Sequence, residues 1–231
     1  MRVRNRRRTI VAVLVGLVLA PALGWSAYAA VTWLRFGRSR AEARPDPLME
    51  RYLPRYDIAE VHAARVAAPP SVTYDALRTI DLHHSSAVHA IFRGREIMLG
   101  ATAPPRPADL PLVSELLSLG WGVLEEVPGR QLVLGAVTQP WQPAVVFRAL
   151  APETFASFDS AGYVKIVVSL AADSLGPTES IVRTETRALA TDAGSRAKFR
   201  RYWSIFSPGI LLIRSRALAL ARHEAEGRRG P

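Results

Sequence analysis

The sequence predicts an α+β domain, an antiparallel sheet closed by one long amphipathic C-terminal helix, behind an N-terminal membrane-spanning segment. Three observations predict it. Residues 9–34, TIVAVLVGLVLAPALGWSAYAAVTWL, hold no charge. Residues 121–190 carry strand-like runs separated by turn residues such as Pro128-Gly129. From Phe199 to Leu220, apolar residues recur at spacings of three and four.

A chain of 231 residues allows one ordinary domain plus an appendage, or two small domains. A hydrophobic share of 49% excludes a disordered chain. The absence of cysteine excludes structural disulfides, thiolate metal sites, thiol catalysis and iron–sulfur ligation. The net charge of +10 sits at the two ends. Residues 1–44 hold nine Arg against Glu42, a net +8, and residues 193–231 hold nine basic and two acidic residues, a net +7. Residues 45–192 hold 12 basic and 17 acidic residues, a net −5. A nucleic-acid binder carries its basic face on the folded body, so no nucleic-acid partner is expected.

The uncharged run is longer than the roughly 20 residues a helix needs to cross hydrocarbon. Arg6, Arg7 and Arg8 flank it on one side, and Trp25, Tyr28 and Trp33 form an interfacial aromatic belt toward the other. The bilayer is thus an expected partner. Ala27-Tyr28-Ala29 also fits a signal-peptide cleavage site, but the apolar run continues through Val31 and Leu34, which favours an uncleaved anchor. The slightly larger N-side positive charge favours a cytoplasmic N-terminus and a domain outside an inner (plasma) membrane, with the reverse left open. The expected organisation is a basic flank (1–8), a single-pass helix (9–34), a tether (35–56), the domain (57–226) and a short tail (227–231).

Within the domain, residues 58–67 read as the first strand, ending at Pro69-Pro70. Ser71 is an N-cap for a helix through Ile80, and residues 84–93 suggest a second helix. A proline-rich loop (103–111) and a short helix (114–119) follow. Residues 121–127 and 131–138 form a hairpin around Pro128-Gly129, and 145–150 is a third strand. Residues 152–158 are a short helical insertion, and 163–171 and 180–190 complete the sheet. Along 180–190, Arg183, Glu185 and Arg187 point one way and Val182, Thr184, Thr186 and Ala188 the other. Thr191 or Asp192 caps the last helix, which Pro208-Gly209 should bend or break.

This order, with VAAPPSVTYDALRTIDL (66–82), EEVPGRQLVLG (125–135) and ESIVRTETRALATD leading into SRAKFRRYW (179–203), resembles the SRPBCC superfamily of START-like, helix-grip proteins. The resemblance covers roughly residues 57–226. It implies a cavity between a curved sheet and the C-terminal helix that holds a lipid or other apolar molecule. It does not imply a reaction. Thr184 and Thr186, on the inward row, and Trp121, Trp141, Tyr163, Tyr202 and Trp203 are the candidate lining residues. Residues 94–111 are a candidate lid.

Other constellations are weak. Asp81, His83, His84 and His89 lack metal-ligand spacing, so no metal is expected. His62 and His223 stand alone as surface or packing residues. Glu125 and Glu126 point to opposite faces of a strand. Ser85-Ser86 lacks a nucleophile elbow. No nucleotide fingerprint is present, so no cofactor is expected, and no catalytic residue can be named. Arg196, Lys198, Arg200, Arg201, Arg214, Arg216 and Arg222 read as the solvated side of the last helix. The expected role is binding, sensing or transfer of an apolar molecule. The alternatives are a cyclase or hydratase on an apolar substrate, which needs an acid–base pair in the cavity, and a filled-core interaction domain.

Overall fold

The computed structural model describes residues 20, 23–38, 46–82, 86–100 and 110–228. Residues 23–35 are helical (α1). They are followed by α2 (Pro47–Tyr52), β1 (Ile58–Val66), α3 (Pro70–Thr79), α4 (Ser86–Leu99) and α5 (Leu112–Ser118). The hairpin β2 (Gly122–Val127) and β3 (Gln131–Thr138) comes next, then β4 (Phe147–Arg148) and α6 (Pro152–Phe155). The long β5 (Val164–Ser174), β6 (Ser180–Ala190) and α7 (Ala193–Gly227) end the domain. The six strands form one sheet in the order β1-β6-β5-β3-β2, with β4 on β3, and every pairing is antiparallel. This is the expected α+β helix-grip arrangement.

Several boundaries differ from expectation, each for a local reason. Pro69 and not Ser71 is the N-cap of α3, because Pro70 fits the first helical position, where no N–H is needed. The expected strand over 145–150 shrinks to Phe147–Arg148. Pro208 does not break α7, which runs unbroken for 35 residues. Proline forfeits one backbone bond to the preceding turn, and burial of Trp203, Ser207 and Gly209 around it holds the helix in line. Gly209 also admits α4, since a Cβ there would lie 2.7 Å from Ile91 Cγ2.

The expected tether is partly folded. Asp46 caps α2, its Oδ1 accepting from the amides of Leu48 and Met49. Met49 and Leu53 are buried with Leu124, Val133, Val137, Phe155 and Val167 on the outer face of the sheet. The inner face packs on α3 and α7 through Val66, Leu77, Leu134, Leu170, Val182, Leu218 and Ala221. Both faces are therefore covered, which is why every residue of β3 is buried.

Asp192 caps α7. Its carboxylate accepts from the amide of Ser195 at 2.9 Å and the amide of Gly162 at 2.6 Å, and from the Ser195 hydroxyl. The hydroxyl, then the two amides, hold its pKa well below the usual carboxylate range. A depressed folded-state pKa stabilises above the unfolded value and loses that contribution as pH falls through the folded one. Asp192→Asn keeps an acceptor but not the charge. The stability gap between the two proteins, from urea unfolding at stepped pH, is expected to be constant above about pH 5 and to shrink below about pH 4. A gap that ignores pH would show the charge to be idle.

α1 meets the domain only at its end among the described residues. Phe36 packs edge-on against Phe199, with centroids 5.7 Å apart. Arg200 donates to the Trp33 carbonyl at 2.8 Å and lies 4.2 Å over its ring. The rest of the helix is apolar and uncovered: Leu23 is 68% and Leu34 61% exposed, and Trp25, Tyr28 and Trp33 are exposed too. Arg6, Arg7, Arg8 and most of 9–22 lie outside the described residues. Among the described residues, the one helix long and apolar enough to cross a bilayer is α7, and its inner side is the core of the domain.

Candidate functional site

The candidate site is the layer between the sheet and α7. Strand alternation builds one wall. Ala64 and Val66 of β1 pack toward the helices, so Glu60 and His62, at even positions of the same strand, face the same way. In the β1–β6 register, Glu60 stands opposite Thr186 and His62 opposite Thr184. Both threonines are buried on the helix side, where Val182 and Ala188 share their row. α7 supplies the other wall. Ser207 and Arg214, seven residues apart, sit nearly above one another on one helix face.

Among the described residues, four polar atoms buried in these two walls have no hydrogen-bond partner: His62 Nε2, Thr186 Oγ1, Ser207 Oγ and Arg214 Nη1. Trp121 Nε1, at the β2 end of the same layer, is a fifth. Arg214 lies close enough to Glu60 and His62 for their charges to interact. Burial pulls its guanidinium down to about 10, partly offset by Glu60. It remains charged at neutral pH. Burial, and secondarily Arg214, also lowers the His62 pKa, so the imidazole is held neutral.

The sequence-based candidates divide. Thr184, Thr186 and Trp121 face the layer between sheet and α7. Trp203 is buried at the N-terminal part of α7 with Phe36, Ile58, Val164 and Phe199, and Trp141 and Tyr202 pack on that cluster. Lys198 lies 5.7 Å from the Trp141 ring centre. Tyr163 is not with them: it packs against Phe158 in the outer-face cluster, because it precedes β5 at an odd position. Leu220, assigned to the inner stripe of α7, is 37% exposed; Leu218 and Ala221 take its place.

Two residues not counted among the candidates in the sequence face the same layer. His62, expected as a surface or packing residue, is partly buried, and its Nε2 is buried without a hydrogen-bond partner among the described residues. Arg214 is not on the solvated side of α7. Its position, eleven after Trp203 and seven after Ser207, is the signal, a cation on the stripe rather than beside it. Glu125 and Glu126 do point to opposite faces, Glu125 to Arg51 and Tyr52 and Glu126 to Tyr74 and Arg78. His83, His84 and Ser85 lie outside the described residues, as does 101–109 of the expected lid. No cluster of three metal-ligating side chains occurs among the described residues.

A recess of about 1010 Å³ opens on the outer face of the sheet, lined by Asp46, Arg130, Gln131, Asp173, Arg183 and Glu185 among others. The cavity expected from sequence was on the opposite side. Its inner charges are already matched: Arg183 donates to Asp173 at 3.0 Å and to Asp46 at 3.1 Å, and Gln131 donates to Asp46 at 2.7 Å. Burial opposes the charge on Arg183, and these carboxylates outweigh it and raise its pKa. These contacts tie Asp46, at the start of α2, to β3, β5 and β6.

No protein-family model matches the chain. No curated protein matches it. Among solved structures it is similar to a hypothetical protein of Helicobacter pylori, at 10% identity and a TM-score of 0.39, over 81% of this chain and 98% of that one. The ZhuI aromatase/cyclase of Streptomyces sp. R1128 shares 13% identity at a TM-score of 0.25, over 75% of this chain and 99% of that one. The di-domain aromatase/cyclase BexL of the BE-7585A biosynthetic pathway shares 13% identity at a TM-score of 0.27, over 75% of this chain and 48% of that one. At these scores and identities the likenesses assign no family and no function to this chain.

Proposed function

We propose that this is a membrane-tethered helix-grip protein that binds an apolar small molecule between the sheet and α7. The observation that carries the reading is the set of unpaired polar atoms of His62, Thr186, Ser207 and Arg214 within an otherwise apolar layer. A buried polar atom without a protein partner is served by water or by a ligand, and each one left unserved costs about 1–3 kcal/mol. Four such atoms on facing walls mark a concentrated polar demand inside the layer. The bare apolar surface of α1, with Leu23 and Leu34 more than half exposed, supports the tether.

The test is native mass spectrometry of the full chain, purified from its original host in lipid nanodiscs. A reproducible bound mass, identified after organic extraction, is expected. A clean unbound mass, together with no uptake from a total lipid extract, would sink the binding reading in favour of an interaction domain with a filled core.

A second reading, an enzyme on an apolar substrate, rests on His62. A neutral imidazole, two residues along the same strand face from Glu60, has the proton affinity a general base needs. Under this reading His62→Gln protein retains bound material of a different mass, substrate in place of product. Identical bound material from both proteins counts against catalysis.

A further inference from the structure

The ligand's buried end can be specified further, on the premise that the proposed site binds a small molecule. We infer that the polar end of the ligand is an acceptor oxygen, a carbonyl or carboxylate, seated on Arg214 and Thr186 between α7 and the β1–β6 pair. Arg214 offers only donors, so whatever completes its Nη1 must accept. Thr186 is 4% exposed, and its hydroxyl rotates to donate where an acceptor is present. One oxygen has two lone pairs, enough for both. An amine end would set a second cation against Arg214, and a plain hydrocarbon end would leave every one of these atoms unmet.

The remaining groups that face the position fit an acceptor as well. Glu60 stands opposite Thr186 on the neighbouring strand, and its charge partly offsets the cost of burying Arg214. That arrangement keeps the position close to neutral overall and suits an uncharged carbonyl. A carboxylate would add a negative charge beside Glu60, and it would draw a proton onto His62 to compensate. Carbonyl and carboxylate are therefore separable by proton uptake.

The experiment uses the full chain in nanodiscs and four probes of matched chain length: 2-tridecanone labelled with ¹³C at the carbonyl, dodecanoate, dodecylamine and tridecane. Retention is read by native mass spectrometry and the labelled carbonyl by infrared difference spectroscopy. The expected result is at least tenfold preferential retention of the ketone or the acid over the amine and alkane. The ketone stretch should move to lower frequency relative to ketone in empty nanodiscs. Arg214→Met should abolish the preference and the shift while tridecane retention stays unchanged. Thr186→Val, an isosteric change that spares the helix, should reduce both and serves if the first variant fails to fold. Proton uptake on binding, measured in weakly buffered solution, accompanies the acid but not the ketone. Equal retention of all four probes overturns the inference and leaves the binding reading standing. Retention of none of the four, and of nothing from a lipid extract, removes both.

Discussion

Replacing Arg187 by methionine is expected to lower the stability of the domain by about 3–5 kcal/mol, the usual result of removing one member of a buried ion pair. Arg187 and Glu185 are each 2% exposed, on the outer face of β6 beneath α2. Arg187 Nε donates to Glu185 at 2.7 Å, and its Nη1 donates to Glu50 at 2.7 Å and to the Leu53 carbonyl at 3.2 Å. Its guanidinium also lies 4.9 Å from the Tyr56 ring centre. Methionine keeps much of the apolar stem and removes all of these donors. Among the described residues, Glu185 is then left buried with Arg183 as its remaining ion-pair partner, at 3.6 Å. The double change Arg187→Met with Glu185→Leu should recover most of the loss, because no charge remains to be desolvated. Urea unfolding of the full chain in detergent measures both. A loss below about 1 kcal/mol for the single change would mean that water reaches Glu185.

Phe199→Ala is expected to cost about 3–5 kcal/mol, in the range for deleting a buried aromatic ring. Phe199 is 2% exposed and touches the rings of Phe36 and Trp203, with centroids 5.7 and 6.1 Å away. Its loss opens a cavity where β1, β5, β6 and α7 meet, beside Ile58, Val164 and Ala188. It also frees Phe36, the buried residue that immediately follows α1. The variant should therefore show two effects: a lower unfolding midpoint, and faster tryptic cleavage at Arg38. Phe199→Leu should restore the midpoint more fully than the cleavage rate, since leucine fills volume but does not rebuild the edge-to-face contact. An unchanged midpoint in Phe199→Ala would show that the cluster collapses without cost.

The sheet was legible because its signals are local. The alternation of β6, from Ser180 to Ala190, places Thr184 and Thr186 on the opposite side from Arg183, Glu185 and Arg187, and the strand has those bounds. What covers the outer row was not legible. α2 is six residues long, and its docking depends on contacts such as Arg187 with Glu50, 137 residues apart, which no local pattern records. The site was half legible for a related reason. Thr186 follows from period two within one strand, whereas Glu60 and His62 acquire meaning only once β1 is laid against β6. Arg214 was assigned by charge to the solvent side. Its place on the stripe with Ser207 outweighs that habit, and a cation there signals a polar demand inside the core. Tyr163 shares the odd parity of Val167, which faces the outer side of β5, so the alternation of that strand already excludes it from the inner layer.

The register of β1 on β6 also sets a timetable. Ile58 pairs with Ala188, 130 residues later in the chain, and among the described residues no other strand borders β1. At a synthesis rate of about 5–20 residues per second, the first strand waits roughly 6–26 s for its neighbour to be made. β5 and β6, joined by a short turn, pair at once along their whole length. β1 therefore spends that interval as an open edge, the state most exposed to pairing with another nascent chain. Glu60, His62 and Arg65 break its apolar run at every second or third residue. The two groups that line the candidate site thus serve earlier as guards of a strand whose partner does not yet exist.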